Sequence, residues 1–421
     1  LSWQAIQFRR IAWSDDTAQD RAMTPKPSAP PPLSGIRVIE LARVLAGPWA
    51  GQMLADLGAD VIKVENPEGG DDTRAWGPPF VEGADGENLS AAYYHSTNRN
   101  KRSIAVDLKT PEGQEIVRRL CASADVVIEN FKRGGLEKYG LDYESLKAIN
   151  PKLVYCSITG FGQNGPYADF AGYDYIVQGM SGFMSITGEK DGEPMKAGVA
   201  IADIFTGIYA VTAIQAALIH VMKSGQGQFV DMALLDVMSA VLANQNMNYL
   251  ISGKPPSRLG NAHPNISPYE VVPTADGHLI LAVGNDGQFK RLCTILGIAT
   301  VAEDERFATN KARVANKVEV RRIVTAETVK WSKRDLLSAC EANAVPAGPI
   351  NSIEEMFADP QVQARGLKIE LTDDKGTVIP SVRTPIVLSE TPLRYERPSP
   401  RIGEHADEIL AELAELERKT K

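Results

Sequence analysis

From Gly35 onward, short apolar runs alternate with stretches of helical period. GIRVIEL (35–41) reads as a strand, WAGQMLADLG (49–58) as a helix closed by Gly58, and ADVIKVE (59–65) as a second strand. SIAVDL, ADVVIEN and LVYCSIT continue the series, with TPEGQEIVRRLCAS and LDYESLKAIN between them as amphipathic helices. In the first of these, Thr110 is placed to cap and Pro111 takes the tolerated first helical position. Strands alternating with helices predict an α/β fold with a Rossmann-like parallel sheet covered on both faces, whose ligands gather at the carboxyl ends of the strands.

After Asp203 the periodicity changes. IFTGIYAVTAIQAALIHVMKSG and the stretch from Asp236 to Ile251 read as two helices richer in apolar residues than a one-sided surface helix needs, which suggests burial or subunit contact. YEVVPTADGHLILAVG reads as a hairpin turning at Asp276-Gly277. The expected organisation is an extended segment over 1–32, a large α/β domain over 33–225, a linker helix over 226–254, and a smaller α+β domain over 255–330. Strand patterns in LKIELTD and GTVIPSVRTPIVLS predict that 331–421 rejoins the large domain. The opening residues differ from the rest: TPKPSAPPPLSG is proline-rich and extended, and Met23 stands where a start is expected. Arg9, Arg10 and Arg21 suit a mitochondrial presequence, but Asp15, Asp16 and Asp20 interrupt it.

Composition narrows the function. In 421 residues that are 43% apolar there is material for a full core and two lobes. A formal charge of -8 argues against nucleic-acid or membrane-surface binding and leaves small molecules as the expected partners. Cys121, Cys156, Cys293 and Cys340 are widely spaced without a CxxC pair, which fits a reducing compartment and suggests neither a zinc site nor a disulfide framework. No apolar run is expected to reach the roughly 18 residues of a membrane span. The expected location is the cytoplasm, or the mitochondrial matrix in a eukaryote.

Candidate chemistry is sparse. GFGQNG (160–165) has GxGxxG spacing after a strand, but Pro166 and Gly172 leave no room for the helix that would hold a pyrophosphate, so a glycine-rich ligand loop is the better reading. None of His95, His220, His263, His278 and His405 shows metal-ligand spacing, and no GxSxG elbow is present. His220 reads as structural, whereas His263, in LGNAHPNISPY, lies in a loop able to reach a site. Within GYDYIVQGMSG (172–182), Asp174 stands at a helix start, where position alone makes it a cap.

Taken together, LSGIRVIELARVLAGP, LADLGADVIKVE, GDDTRAWGPPF, NRNKRSIAVDLKTPEG, ADVVIENFKRG, the GYD segment, SGQGQFVDMALLD, GNAHPNISPY, VPAGPINS and PRIGEHADEIL resemble family III CoA-transferases, the group of formyl-CoA:oxalate and carnitine CoA-transferases. The pieces run in family order from about 33 to 410, and GDDTRAWGPPF with NRNKRSIAV looks most like the succinyl-CoA:glutarate branch.

The resemblance implies that Asp174 is a nucleophile. An ordinary Asp, with pKa about 3.9, is ionised at neutral pH and needs no base. Its attack on an acyl-CoA gives an aspartyl anhydride and CoA thiolate; the thiolate then forms an aspartyl-CoA thioester that a second acid reopens. Water must be excluded, with backbone N–H groups meeting the oxyanion, roles that suit GNAHPNIS and Gly179 through Gly182. By family position, Leu45, Ala46, Val106, Lys109, Asn130, Phe131 and Lys138 contact CoA, which is substrate here; no tightly bound cofactor is expected. Asn66 stands where the oxalate enzymes have Arg, and Thr159 replaces a Lys. Arg43, Arg74 and Arg99 are candidates either for the distal carboxylate of a dicarboxylic acid or for structural ion pairs. The family's subunits interlace, so a homodimer is expected. The chain also resembles α-methylacyl-CoA racemases, which place His directly before the matching Asp; Tyr173 stands there instead, and a tyrosine of pKa about 10 is a poor base. A non-catalytic CoA-binding regulator is the alternative of another class.

Overall fold

Residues 29–420 are described by the structure, a computed structural model. Met23 and the rest of the expected extension up to residue 28 lie outside them. Six strands form the main sheet: β1 (Arg37–Glu40), β2 (Asp60–Glu65), β3 (Arg102–Ala105), β4 (Val126–Glu129), β5 (Val154–Thr159) and β6 (Gln228–Ala233). Their order is 3-2-1-4-5-6 and every neighbouring pair is parallel. This is the doubly wound order of dinucleotide-binding sheets, whose ligand crevice lies where the order reverses, between β1 and β4.

Alternate residues of each strand serve opposite cores, as the two-residue period requires. Val38, Val126 and Val154 pack with Leu54 and Ile214 on one face. Ile39, Val127 and Tyr155 pack with Leu120 and Leu146 on the other. The first face is covered by α1 (Ala46–Asp56), the second by α2 (Pro111–Ala122) and α3 (Tyr143–Ile149). Thr110 caps α2 by accepting from Gly113 N–H at 3.0 Å, and Pro111 opens the helix.

Two expectations need correction here. Residues 228–233 form the edge strand β6 rather than the start of a linker helix; the half-exposed sequence QFVDMA, with Asp231 inside it, hides a strand that is buried on neither face as fully as the others. The helical remainder is split at Ala243, with φ 48°, beyond α4 (Asp174–Met180) and α5 (Ile201–Ser224), into α6 (Leu234–Ala240) and α7 (Asn244–Ser252). The second correction concerns α5, whose 24 residues are long and apolar enough to cross a membrane. One face of it, including Ala210, Ile214 and Ala217, belongs to the core. Gly207 permits its approach to α1, since a Cβ there would lie 2.8 Å from the Ala46 carbonyl oxygen.

The hairpin of β7 (Tyr269–Thr274) and β8 (Gly277–Ala282) pairs Gly277 with Thr274, and β9 (Ala347–Gly348) adds a third strand. Its core runs from Val272 through Leu336 and Cys340 to Ala347, so the small lobe extends past 330. The helix Lys333–Ala342 presents its apolar stripe to β8 and returns the chain to β9. A separate hairpin of β10 (Lys368–Thr372) and β11 (Val378–Val382) meets the large lobe through Arg99 donating to Ser381 Oγ at 3.2 Å. Finally α8 (Ala406–Thr420) places Ile409 and Leu413 in the second core of the large lobe.

Candidate active site

Beyond β5 the chain leaves the sheet at Gly160, makes a loop, and touches itself again at Gly172. A Cβ on Gly160 would lie 2.4 Å from the Gly172 Cα, and one on Gly172 would lie 2.3 Å from the Gly160 Cα. Only glycine at both positions allows this backbone crossing. Further ties hold the loop: Gly162 N–H donates to Thr159 Oγ1 at 2.8 Å, Gln163 N–H to Asp231 at 3.0 Å, and Arg133 pairs with Asp169 at 2.9 Å. No helix follows GFGQNG directly, and the next one is delayed until Asp174.

Asp174 is the first residue of α4, after Tyr173 as N-cap, yet its carboxylate does not cap that helix. Oδ1 accepts from the Ala202 N–H at 2.8 Å, in the first turn of α5. Oδ2 accepts from the side-chain amide of Gln178 at 2.7 Å. Gln178 is fully buried, and its carbonyl oxygen accepts from Ala197 N–H at 2.9 Å. Two N–H donors, one on each oxygen, hold the carboxylate in one orientation. Asp203, the next residue of α5, is half-buried; burial and then the Asp174 charge push it up to about 7. The Tyr93 hydroxyl is also raised, by burial and then by the charges of Asp203, Asp174 and Asp71, and its ring meets Trp76 edge-on at 5.3 Å.

At the carboxyl ends of β1 to β4 lies a cleft of about 230 Å³, lined in part by Arg43, Asn66, Val106, Lys109, Phe131 and Tyr139. Three of the residues matched to CoA, Val106, Lys109 and Phe131, thus share one surface. Lys138 is beside it, with Nζ 4.7 Å from the Tyr139 ring centroid. Asn130 clasps the backbone of Arg43, accepting its N–H at 3.0 Å and donating to its carbonyl at 2.7 Å, which joins the two strands at the point of reversal. Leu45 and Ala46 are buried at the start of α1. They follow Val44, whose φ of 72° is uncommon for a branched residue.

Buried charge holds that loop. Val44 N–H donates to both Asp71 carboxylate oxygens at 3.2 Å, and Asp71 pairs with Lys63 at 2.9 Å. Lys63 and Lys101 both meet Glu40, at 3.0 and 2.8 Å. Burial would raise Asp71, but Lys63 and the Thr73 N–H hold it down at about 2. Burial pushes Lys101 down to about 8 despite Glu40.

The three candidate arginines separate. Arg74 forks onto Glu65 at 2.9 and 2.7 Å and meets the Tyr94 hydroxyl at 2.6 Å. Arg99 is buried against Asp56. Both are structural ion pairs, a correction to their place among candidate substrate ligands. Only Arg43 remains exposed, beside the cleft and paired with Asp72 at 2.8 Å. His263 turns onto its own loop, accepting from Asn265 N–H at 3.1 Å and lying 5.3 Å from the Tyr269 ring. Gly179 lies inside α4, while Gly182, with φ 90°, ends the segment. Among the described residues no group of three His, Cys, Asp or Glu converges as for a metal, and all four cysteines are free. Gln178, Ala202, Asp203 and Tyr93 were not anticipated. The i, i+4 spacing of Asp174 and Gln178 was a readable signal; the others come from distant segments.

A doubly wound sheet with a cleft at its strand ends, and a carboxylate held by two N–H donors, fit an α/β enzyme, and comparison with known proteins gives its class. CoA-transferase family III matches residues 33–406, and the chain belongs to that family. It is 81% identical over 94% of its length to a succinate–glutarate CoA-transferase of Agrobacterium fabrum, covering 99% of that protein. It is 43% identical over 91% of its length to the human succinyl-CoA:glutarate CoA-transferase, covering 86% of it. A crystal structure of a CAIB/BAIF family protein from Brucella suis superposes with a TM-score of 0.82 at 60% identity, covering 91% of this chain and all of that one.

Proposed function

We propose that this CoA-transferase moves CoA from succinyl-CoA to glutarate or a dicarboxylic acid of similar length, with Asp174 as nucleophile. The observation that carries the reading is the suspension of the Asp174 carboxylate between Ala202 N–H and the Gln178 side-chain amide. The carboxylate attacks the thioester carbonyl; collapse of the adduct releases CoA thiolate and leaves an acyl-aspartyl anhydride. Thiolate attack on the aspartyl carbonyl releases succinate and stores the thioester on the protein, and the acceptor acid reverses both steps. Phe131 and Tyr139 receive the nucleotide of CoA, with Lys109 and Arg43 near its phosphates. The names of the relatives support the choice of acids.

We further propose a homodimer, supported by apolar side chains left exposed on α5 and α7, among them Met222 at 77% and Ile251 at 80%. Light scattering of the purified protein tests it, with a monomer as the contrary result. For the reaction, succinyl-CoA is mixed with a panel of acids and new acyl-CoA is sought by mass spectrometry. Glutaryl-CoA is expected, and Asp174→Ala should abolish it while sparing CoA binding. No exchange with any acid overturns the proposal, and deuterium uptake at an α-carbon would favour a racemase.

A further inference from the structure

Asp203 sits in the first turn of α5, one residue after the N–H that holds Asp174. Unlike Asp174 it has no hydrogen-bond or ion-pair partner among the described residues. Every group that bears on it electrostatically is anionic or neutral: Asp174 from α4, and the Tyr93 hydroxyl from the helix Ala92–His95, which feels both carboxyls. Two N–H donors serve Asp174 and none among the described residues serves Asp203, so burial and then the neighbouring Asp174 charge favour the protonated form of Asp203.

Transfer of CoA between two acids moves no net proton, yet each half-reaction expels a thiolate into a site that must stay dry. Resting on the reading above, we propose that Asp203 is a second catalytic residue, a carboxylic acid that protonates the departing CoA sulfur and then takes that proton back. When the Asp174 adduct collapses, the C–S bond breaks, its electron pair goes to sulfur, and the Asp203 O–H proton follows, leaving CoA thiol and an Asp203 carboxylate. Before attack on the aspartyl carbonyl the carboxylate removes the same proton, regenerating thiolate and acid. The acceptor half-reaction repeats the cycle, so the balance closes without water. Burial and the Asp174 charge lift Asp203 to about 7, near the ordinary thiol value of about 8.5, the match that efficient general acid–base transfer needs.

Exchange between succinyl-CoA and glutarate is measured across about pH 5.5 to 9 for the wild type, Asp203→Asn and Asp203→Glu. Wild-type kcat should fall with a single ionisation as pH rises past neutrality. Asp203→Asn should lower kcat about 100-fold at little cost in KM and lose that limb, and Asp203→Glu should restore part of both. Should the Asn variant not fold, the wild-type profile decides: a kcat that is flat through the alkaline range overturns the role. So does a folded Asn variant with wild-type kcat and an unchanged limb, while the transferase reading stands. Wild-type protein without any exchange overturns both.

Discussion

The side-chain amide of Gln178 donates to Oδ2 of Asp174 at 2.7 Å across one turn of α4. Because Ala197 N–H donates to the other end of that amide, Gln178 has one permitted flip, and the Asp174 carboxylate has one plane. On the proposed mechanism, a nucleophile fixed in this way loses little entropy on the way to the transition state.

Replacing Gln178 by Ala should therefore lower kcat by about 10- to 100-fold, the value of one hydrogen bond to a charged group. KM for succinyl-CoA should hardly change, because Gln178 is not among the residues that line the cleft at β1 to β4. Steady-state kinetics at saturating glutarate separates the two constants. A raised KM with unchanged kcat would show that Gln178 serves binding instead.

The Gly160–Gly172 contact gives a second expectation. Gly172→Ala forces a Cβ into backbone 2.3 Å away, which no side-chain rotation relieves. The change should destabilise the protein by about 1–3 kcal/mol and displace Asp174 enough to reduce exchange. Thermal denaturation together with the exchange assay checks both effects. Gly198, whose Cβ would meet nothing within 4 Å, is the matched control.

Arg74→Met distinguishes a structural from a substrate-binding arginine. It leaves Glu65 buried without its cation, at an expected loss of about 3–5 kcal/mol in urea denaturation. A variant of normal stability but raised KM for the acceptor acid would restore Arg74 to the substrate site.

Stability should also fall with acid in a defined window. Asp71 is held at about 2, below its ordinary 3.8, so its contribution is present above the unfolded value and is lost as pH falls from about 4 toward 2. The shift corresponds to about 2 kcal/mol. Asp71→Asn should lower stability at neutral pH and show a shallower acid limb over that window, measured as denaturation midpoints against pH. Parallel curves for variant and wild type would refute this account of the Lys63–Asp71 pair.

Much of the scaffold was legible because its signals are local. Alternating apolar runs mark β1 to β5, Thr110 and Pro111 mark the start of α2, and Asp276-Gly277 marks the hairpin turn. Motif order was enough to identify the family and to single out Asp174. Strand β6 was hidden because an edge strand lacks a continuous apolar run, and the small lobe extended past 330 because Leu336 and Cys340 pack on β8 from across an intervening chain. Arg74 and Arg99 stayed open between a substrate carboxylate and a structural ion pair until the fold brought Glu65 and Asp56 to them, and Lys63 and Lys101 gave no sign of being fully buried. The role of Asp174 shows the same division. Its identity and its Gln178 neighbour belong to the local sequence, but the Ala202 N–H and Asp203 lie nearly thirty residues on. Periodicity and capping depend on neighbours in the chain, whereas orientation, burial and proton placement depend on neighbours in space, and those exist only once the loop has closed at Gly160 and Gly172.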